Sequence, residues 1–211
     1  MPAAVAARPR DHRGYPVLAI TPWADGEPRF AATGTARTFI CAVERRCSIC
    51  GIRMESGPVW RVVADAEAAA IATSIADGHR YQNNAATVEA PGHRACMLYA
   101  AMVCPYLARP NARRGAPATA AGLAADRGDR RGAAAAVVGF AQMEYRLGDP
   151  VLFRFADVAE FLPHEVGGDH LAALIEAIAT EEPFSQASPP YLLSDEPAAE
   201  RHYARLRRSV A

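Results

Sequence analysis

Four side chains in this 211-residue chain have the types and the spacing to hold a metal ion: Cys47 and Cys50 in Cys47-Ser-Ile-Cys50-Gly51, and His93 and Cys96 in His93-Arg-Ala-Cys96. Zinc takes thiolate sulfur and imidazole nitrogen, four of them tetrahedrally in a structural site, and accepts a two-residue gap within each couple. Gly51 follows the second cysteine, where a knuckle turns back beneath the metal with positive φ. Two other chemistries compete for the same residues. Cysteines can simply be small buried apolar residues, and Cys-x-x-Cys can be a thioredoxin-like redox pair, which opens a helix after a strand. Here the pair follows the helical run Ala36, Phe39, Ile40, Val43 and precedes a strand, an order that disfavours redox exchange.

The elements that would position these ligands are legible. After Gly57-Pro58, the run Val59-Trp60-Arg61-Val62-Val63 has the β-branched and aromatic content of a strand. Pro91-Gly92 precedes His93, and Met97, Leu98, Ala101 and Cys104 recur at helical spacing, so His93 and Cys96 fall in or beside a first turn. The positive end of that helix favours the Cys96 thiolate. A knuckle, strand material and a helix bearing the last two ligands resemble a treble-clef zinc finger over residues 46–105. The Ala-rich run 65–76 and the polar loop 78–84 lengthen the connection between the couples beyond the compact hairpin of that family. Together with Gly-Pro-Val-Trp, Val-Cys-Pro-Tyr-Leu-Ala-Arg-Pro and Leu-Gly-Asp-Pro, the pattern also resembles small proteins of high-GC bacteria and their phages. The resemblance implies a zinc site and carries no activity with it.

Cys104 lies about 12 Å beyond Cys96 along a continuous helix, out of reach of the same metal, and is expected in the core. It could replace His93 only if the helix ended early. Cys41, beside Ile40 and Val43, reads as a buried thiol, and His79 is the substitute ligand should His93 fail.

Composition bounds the function. At 51% hydrophobic residues the chain can bury a real core, and its formal net charge of zero exerts no global pull on a polyanion. The chain contains no lysine, which excludes a P-loop, a protein kinase and Schiff-base catalysis. Nucleophile-elbow, dinucleotide-fingerprint and His-Glu-x-x-His motifs are absent as well. Arginines cluster at 109, 113 and 114, at 127, 130 and 131, and at 201, 205, 207 and 208. Their planar forks suit phosphate, although a high-GC coding bias explains arginine for lysine without any partner. No apolar run approaches the ~20 residues of a membrane helix, and residues 1–13 lack a signal-peptide core, so a cytoplasmic protein is expected.

Residues 1–14 read as a mobile leader, 15–108 as the zinc module with a strand at 17–21 and a turn at Asp25-Gly26, and 109–132 as a flexible linker or loop. The part 133–211 is predicted to pack on the zinc module. It comprises strands over 134–147 and 151–155 joined as a hairpin, helices over 157–162 and through Leu171, Leu174, Ile175 and Ile178 with Asp169 as cap, and a last helix over 196–208. His164, Glu165, Asp169 and His170 have acid–base types but no nucleophile beside them. His79, Asn83, Asn84 and His93 echo a ββα-metal nuclease. The expectation is an α+β fold with a treble-clef-like centre holding zinc on Cys47, Cys50, His93 and Cys96. The matching function is a non-enzymatic scaffold or recognition protein for protein or nucleic-acid partners. A metal-dependent nuclease and an arginine-mediated nucleic-acid binder are the alternatives.

Overall fold

The computed structural model describes residues 1–30, 32–83, 86–104, 118–120, 123–125, 134–163, 170–180 and 187–210. Along the chain the elements are α1 (Ala3–Ala6), β1 (Trp23–Ala24), β2 (Glu27–Pro28), α2 (Thr35–Val43), β3 (Val59–Ala64), α3 (Asp65–Ala76) and α4 (Arg94–Val103). After them come β4 (Ala118–Ala120), β5 (Leu123–Ala125), β6 (Ala134–Arg146), β7 (Leu152–Pro163), α5 (His170–Thr180), a 3-10 turn at Pro190–Leu192, and α6 (Glu196–Val210). The architecture is α+β with antiparallel sheets.

The main sheet has the order β3-β6-β7. Adjacent residues Val137 and Val138 of β6 are both fully buried, so both faces of the central strand are covered. Helices α3 and α4 pack against β3 and β6, and α5 packs on α4 through Leu174 and Ala177. Phe140, Phe153 and Phe155 form the aromatic centre, with ring centroids 5.2 and 6.2 Å apart, each such burial contributing about 1.5–3 kcal/mol. Gly139 has a packing reason: a Cβ there would meet the Trp60 ring at 2.9 Å, so the indole lies directly across β6.

Sheet pairing joins residues 59–64 to the C-terminal part, with Val59 opposite Phe140 and Val62 opposite Val137. The predicted hairpin is present, running from Arg146↔Leu152 to Ala136↔Pro163. The predicted helix over 157–162 is corrected: these residues continue β7. Val158, Phe161 and Leu162 have helical spacing, but the first half of β6 needs a hydrogen-bonding partner on the side away from β3, and residues 156–163 supply it. A bulge opposite Gly139 and Phe140 absorbs the extra residue, next to Asp157 at φ 58°, whose carboxylate pairs with Arg80.

Two N-terminal expectations also change. Residues 17–21 form no strand; Val17 and Ala19 are buried in an irregular segment whose Ala19 and Ile20 amides bond to Ile49 O and Ser48 O. The predicted turn closes the β1–β2 hairpin, with Asp25 and Gly26 both at positive φ. In place of a mobile leader, residues 1–14 hold α1 with Val5 buried. Arg8 is 3% exposed and donates to Val17 O, Ser188 Oγ and Leu192 O. Most of the linker expected over 109–132, with Arg109, Arg113, Arg114, Arg127, Arg130 and Arg131, lies outside the described residues, as do His164, Glu165 and Asp169.

A second small core of Ile40, Cys41, Leu192 and Ala199 joins α2 to α6, and Phe39 meets Tyr203 edge-on at 5.0 Å. Arg37, fully buried, crosses this contact: it donates to Glu196 Oε2 at 2.6 Å and to the carbonyls of Ala19 and Leu193. Removing the carboxylate leaves a buried charge with carbonyl partners alone. Glu196→Ala is expected to lower stability by about 3 kcal/mol; a loss below about 0.5 kcal/mol in urea unfolding would show that the carbonyls suffice.

Candidate metal centre

The knuckle is built by backbone geometry before any side chain acts. After α2, Arg45 takes φ 51°, and the chain returns on itself with Arg46 paired to Arg53. The Cys47 amide donates to Ile52 O at 2.9 Å, and the Gly51 amide donates to Cys47 O at 2.8 Å. Gly51 sits at φ 78°, as expected, and it is also a close approach: a Cβ would stand 2.5 Å from Ser188 Oγ.

The other couple is delivered by β3 and α4. Gly92 exchanges both backbone hydrogen bonds with Trp60, at 2.9 and 3.0 Å, which fixes the residue before His93 to the sheet edge. Ser48 clamps the same stretch to the knuckle through its amide to Pro91 O and its hydroxyl to Ala90 O. His93 is the N-cap of α4, which places Cys96 in the first turn. Arg94 anchors that turn, donating to Glu160 at 2.9 Å and lying over the Trp60 ring.

These devices bring Cys47, Cys50, His93 and Cys96 together, with one ligand atom from each lying within 4.8 Å of all the others. His93 Nδ1 is 3.4 Å from Cys50 Sγ and 4.0 Å from Cys96 Sγ. A tetrahedron with arms of about 2.3 Å to sulfur and about 2.0–2.1 Å to nitrogen has edges of about 3.5–3.8 Å, so the donor set fits a zinc-sized ion. Nε2 of His93 faces Arg53 O at 3.3 Å, leaving Nδ1 as the inward lone pair. The cluster could bind a metal such as zinc.

Electrostatics are consistent with that use. Burial raises the Cys47 thiol, but hydrogen bonds from Cys50, Cys96 and His93 outweigh it and hold Cys47 well below its ordinary value. Hydrogen bonding to Cys47 holds Cys50 and Cys96 well above theirs. At neutral pH Cys50 and Cys96 therefore stand as thiols, whose protons a metal would displace.

The remaining candidates separate from this centre. Cys41 is buried, and burial pushes its thiol up to about 12. Cys104 is corrected: it is half-exposed at the C-cap of α4, since the helix stops at Val103, and it belongs neither to the core nor to the cluster. His79 is exposed and belongs to no metal-holding group among the described residues. Asn83 accepts from the Phe155 amide at 2.7 Å and so pins the preceding loop to β7; Asn84 lies outside the described residues. His170 is buried on α5. Gly92 is the residue sequence reasoning undervalued. A Cβ there would stand 2.8 Å from Cys47 Sγ and from Met97 Cε, a crowding that only the packed site reveals.

No family model, curated protein or solved structure matches the chain. Among the described residues, no helix is long and apolar enough to cross a membrane.

Gly92→Ala is expected to weaken metal binding about 10–100-fold, the range for losing an outer-shell support, because Met97 can bend away but Cys47 Sγ cannot leave its ligand position. Chelator competition measures this, and an unchanged affinity would refute the crowding argument. Loading the metal-free protein at neutral pH should also expel protons from Cys50 and Cys96. Affinity then falls as pH falls, and a pH-independent affinity would contradict the protonation pattern.

Proposed function

We propose that this chain is a non-enzymatic scaffold or recognition protein built around a structural zinc ion in a treble-clef-like centre. The observation that carries the reading is closure of the donor set: three fully buried sulfurs and one imidazole provide four ligands, leaving no open position for a water or substrate. Catalytic zinc sites keep such a position; structural ones do not. A knuckle, strand β3 and helix α4 with its first-turn ligands support the treble-clef likeness. The long connection through α3 is this chain's departure from that family's compact form.

Zinc in this role stabilises the fold directly. Binding contributes on the order of 10–16 kcal/mol, against about 5–15 kcal/mol for the whole of a typical domain. The purified protein should contain one zinc per chain by elemental analysis, lost in Cys47→Ser and His93→Ala, and a chelator should collapse its thermal transition. Absence of zinc after reducing, chelator-free preparation, or melting indifferent to the chelator, would overturn the proposal. Magnesium-dependent DNA cleavage abolished by His79→Ala would replace it with the nuclease reading.

A further inference from the structure

We propose that the outward face of α6 is a docking surface for double-stranded nucleic acid, gripping phosphates without reading bases. This deepens the recognition reading above by naming its partner. Residues 201–210 contain four arginines and no acidic residue, although the whole chain is neutral. Arg201, Arg205 and Arg208 stand at i, i+4 and i+7, an arc of about 60° extending about 10 Å along the axis. All three are exposed. Three arginines in the body of the fold, Arg37, Arg61 and Arg94, are ion-paired. No carboxylate of the described residues pairs with Arg201, Arg205, Arg207 or Arg208.

The nearby carboxylate of Glu44 is already engaged. It pairs with Arg46, accepts from the Tyr191 hydroxyl at 2.7 Å, and lies 2.6 Å from His202 Nε2. Arg205 spends one N–H on His202 Nδ1, and its remaining donors are uncommitted to any described acid. Complementing the helix dipole accounts for basic residues in the last turn, Arg207 and Arg208, but leaves Arg201 and Arg205 unexplained.

Partner class follows from the rest of the helix. A membrane-surface helix needs its apolar face for lipid, yet here Ala199, Tyr203 and Leu206 pack on the body of the protein. Single-stranded nucleic acid needs exposed aromatic platforms, whereas Tyr191 is stacked on His202 at 3.9 Å and Tyr203 is set against Phe39. A row of exposed guanidinium forks whose neighbouring rings are already stacked on one another or packed on the body of the protein matches duplex phosphates, which bind such forks bidentately.

The test is fluorescence anisotropy of the full, metal-loaded chain with a short DNA duplex of arbitrary sequence, titrated at several salt concentrations. Log affinity should fall against log salt with a slope of about −3, because each of three neutralised phosphates contributes about −0.9. The variant R201Q/R205Q/R208Q should lose at least about tenfold in affinity at low salt and most of the slope, with melting and metal content unchanged. Arg208→Gln alone should reduce the slope by about 1. The control R146Q/R154Q, which removes exposed charge from the β6–β7 hairpin, should bind like the parent. Absence of low-salt binding, parent-like binding by the triple variant, or an equal loss in the control would overturn the proposal. Binding to polyglutamate or to anionic vesicles in place of duplex would overturn it as well. Metal content is read in every sample. A metal-free chain that still binds duplex through α6 removes the zinc reading and leaves this one, and a metal-loaded chain that ignores duplex does the reverse.

Discussion

Gly92 is where the sheet and the metal cluster become one structure. Its backbone is paired in both directions with Trp60 on β3, while its missing side chain leaves room for Cys47 Sγ and Met97. The strand edge therefore sets the position of His93, and through His93 the start of α4 and the location of Cys96. Trp60 in turn lies across Gly139 of the central strand, so the same indole reports the placement of β6 to the cluster. Arg94 closes the circuit by reaching Glu160 on β7 and Glu176 on α5. A metal ion held by Cys47, Cys50, His93 and Cys96 would thus be coupled to the main sheet rather than confined to a peripheral finger.

Buried arginines do a comparable task on the far side of the knuckle. Arg8 and Arg37 spend their donors on carbonyls of segments remote in sequence, including Leu192 and Leu193 just ahead of α6. Burial pulls Arg8 down to about 10, so it stays charged at neutral pH. Buried charges are costly unless paired and hydrogen-bonded, and these bonds tie the N-terminal segment and α6 to one arrangement, while Arg37 Nη2 finds no partner among the described residues. The outward arginines of α6 are exposed and make no ion pair with a carboxylate of the described residues, although Arg205 and Arg207 bond to His202 and Tyr203.

Much of the site was legible from local pattern alone. Two-residue gaps between ligands, a glycine after Cys50 and helical spacing from Met97 to Ala101 reflect neighbours in sequence that are also neighbours in space, and the structure brings those four residues together. The hairpin of β6 and β7, helix α2 and the turn at Asp25-Gly26 were legible for the same reason. Residues 157–162 were not, because their apolar spacing is helical and only the unfilled edge of β6 makes them a strand. Residues 17–21 have strand composition but meet the knuckle instead of a sheet.

What the sequence determined by itself is the donor chemistry, the approximate elements around it, and the absence of the lysine that several enzyme classes require. What only the tertiary structure decided is which candidates converge. His79 and Cys104 have ligand types of the same kind, yet one stands exposed on a loop and the other is the C-cap of α4, at the opposite end of the helix from Cys96. Likewise, composition could not say whether arginines were spent or available; Arg37 and Arg61 are enclosed by carboxylates and carbonyls, while those of α6 face outward. The reason is the same in each case: residue type fixes what a group can do, and convergence depends on long-range backbone pairing and burial that no local window contains.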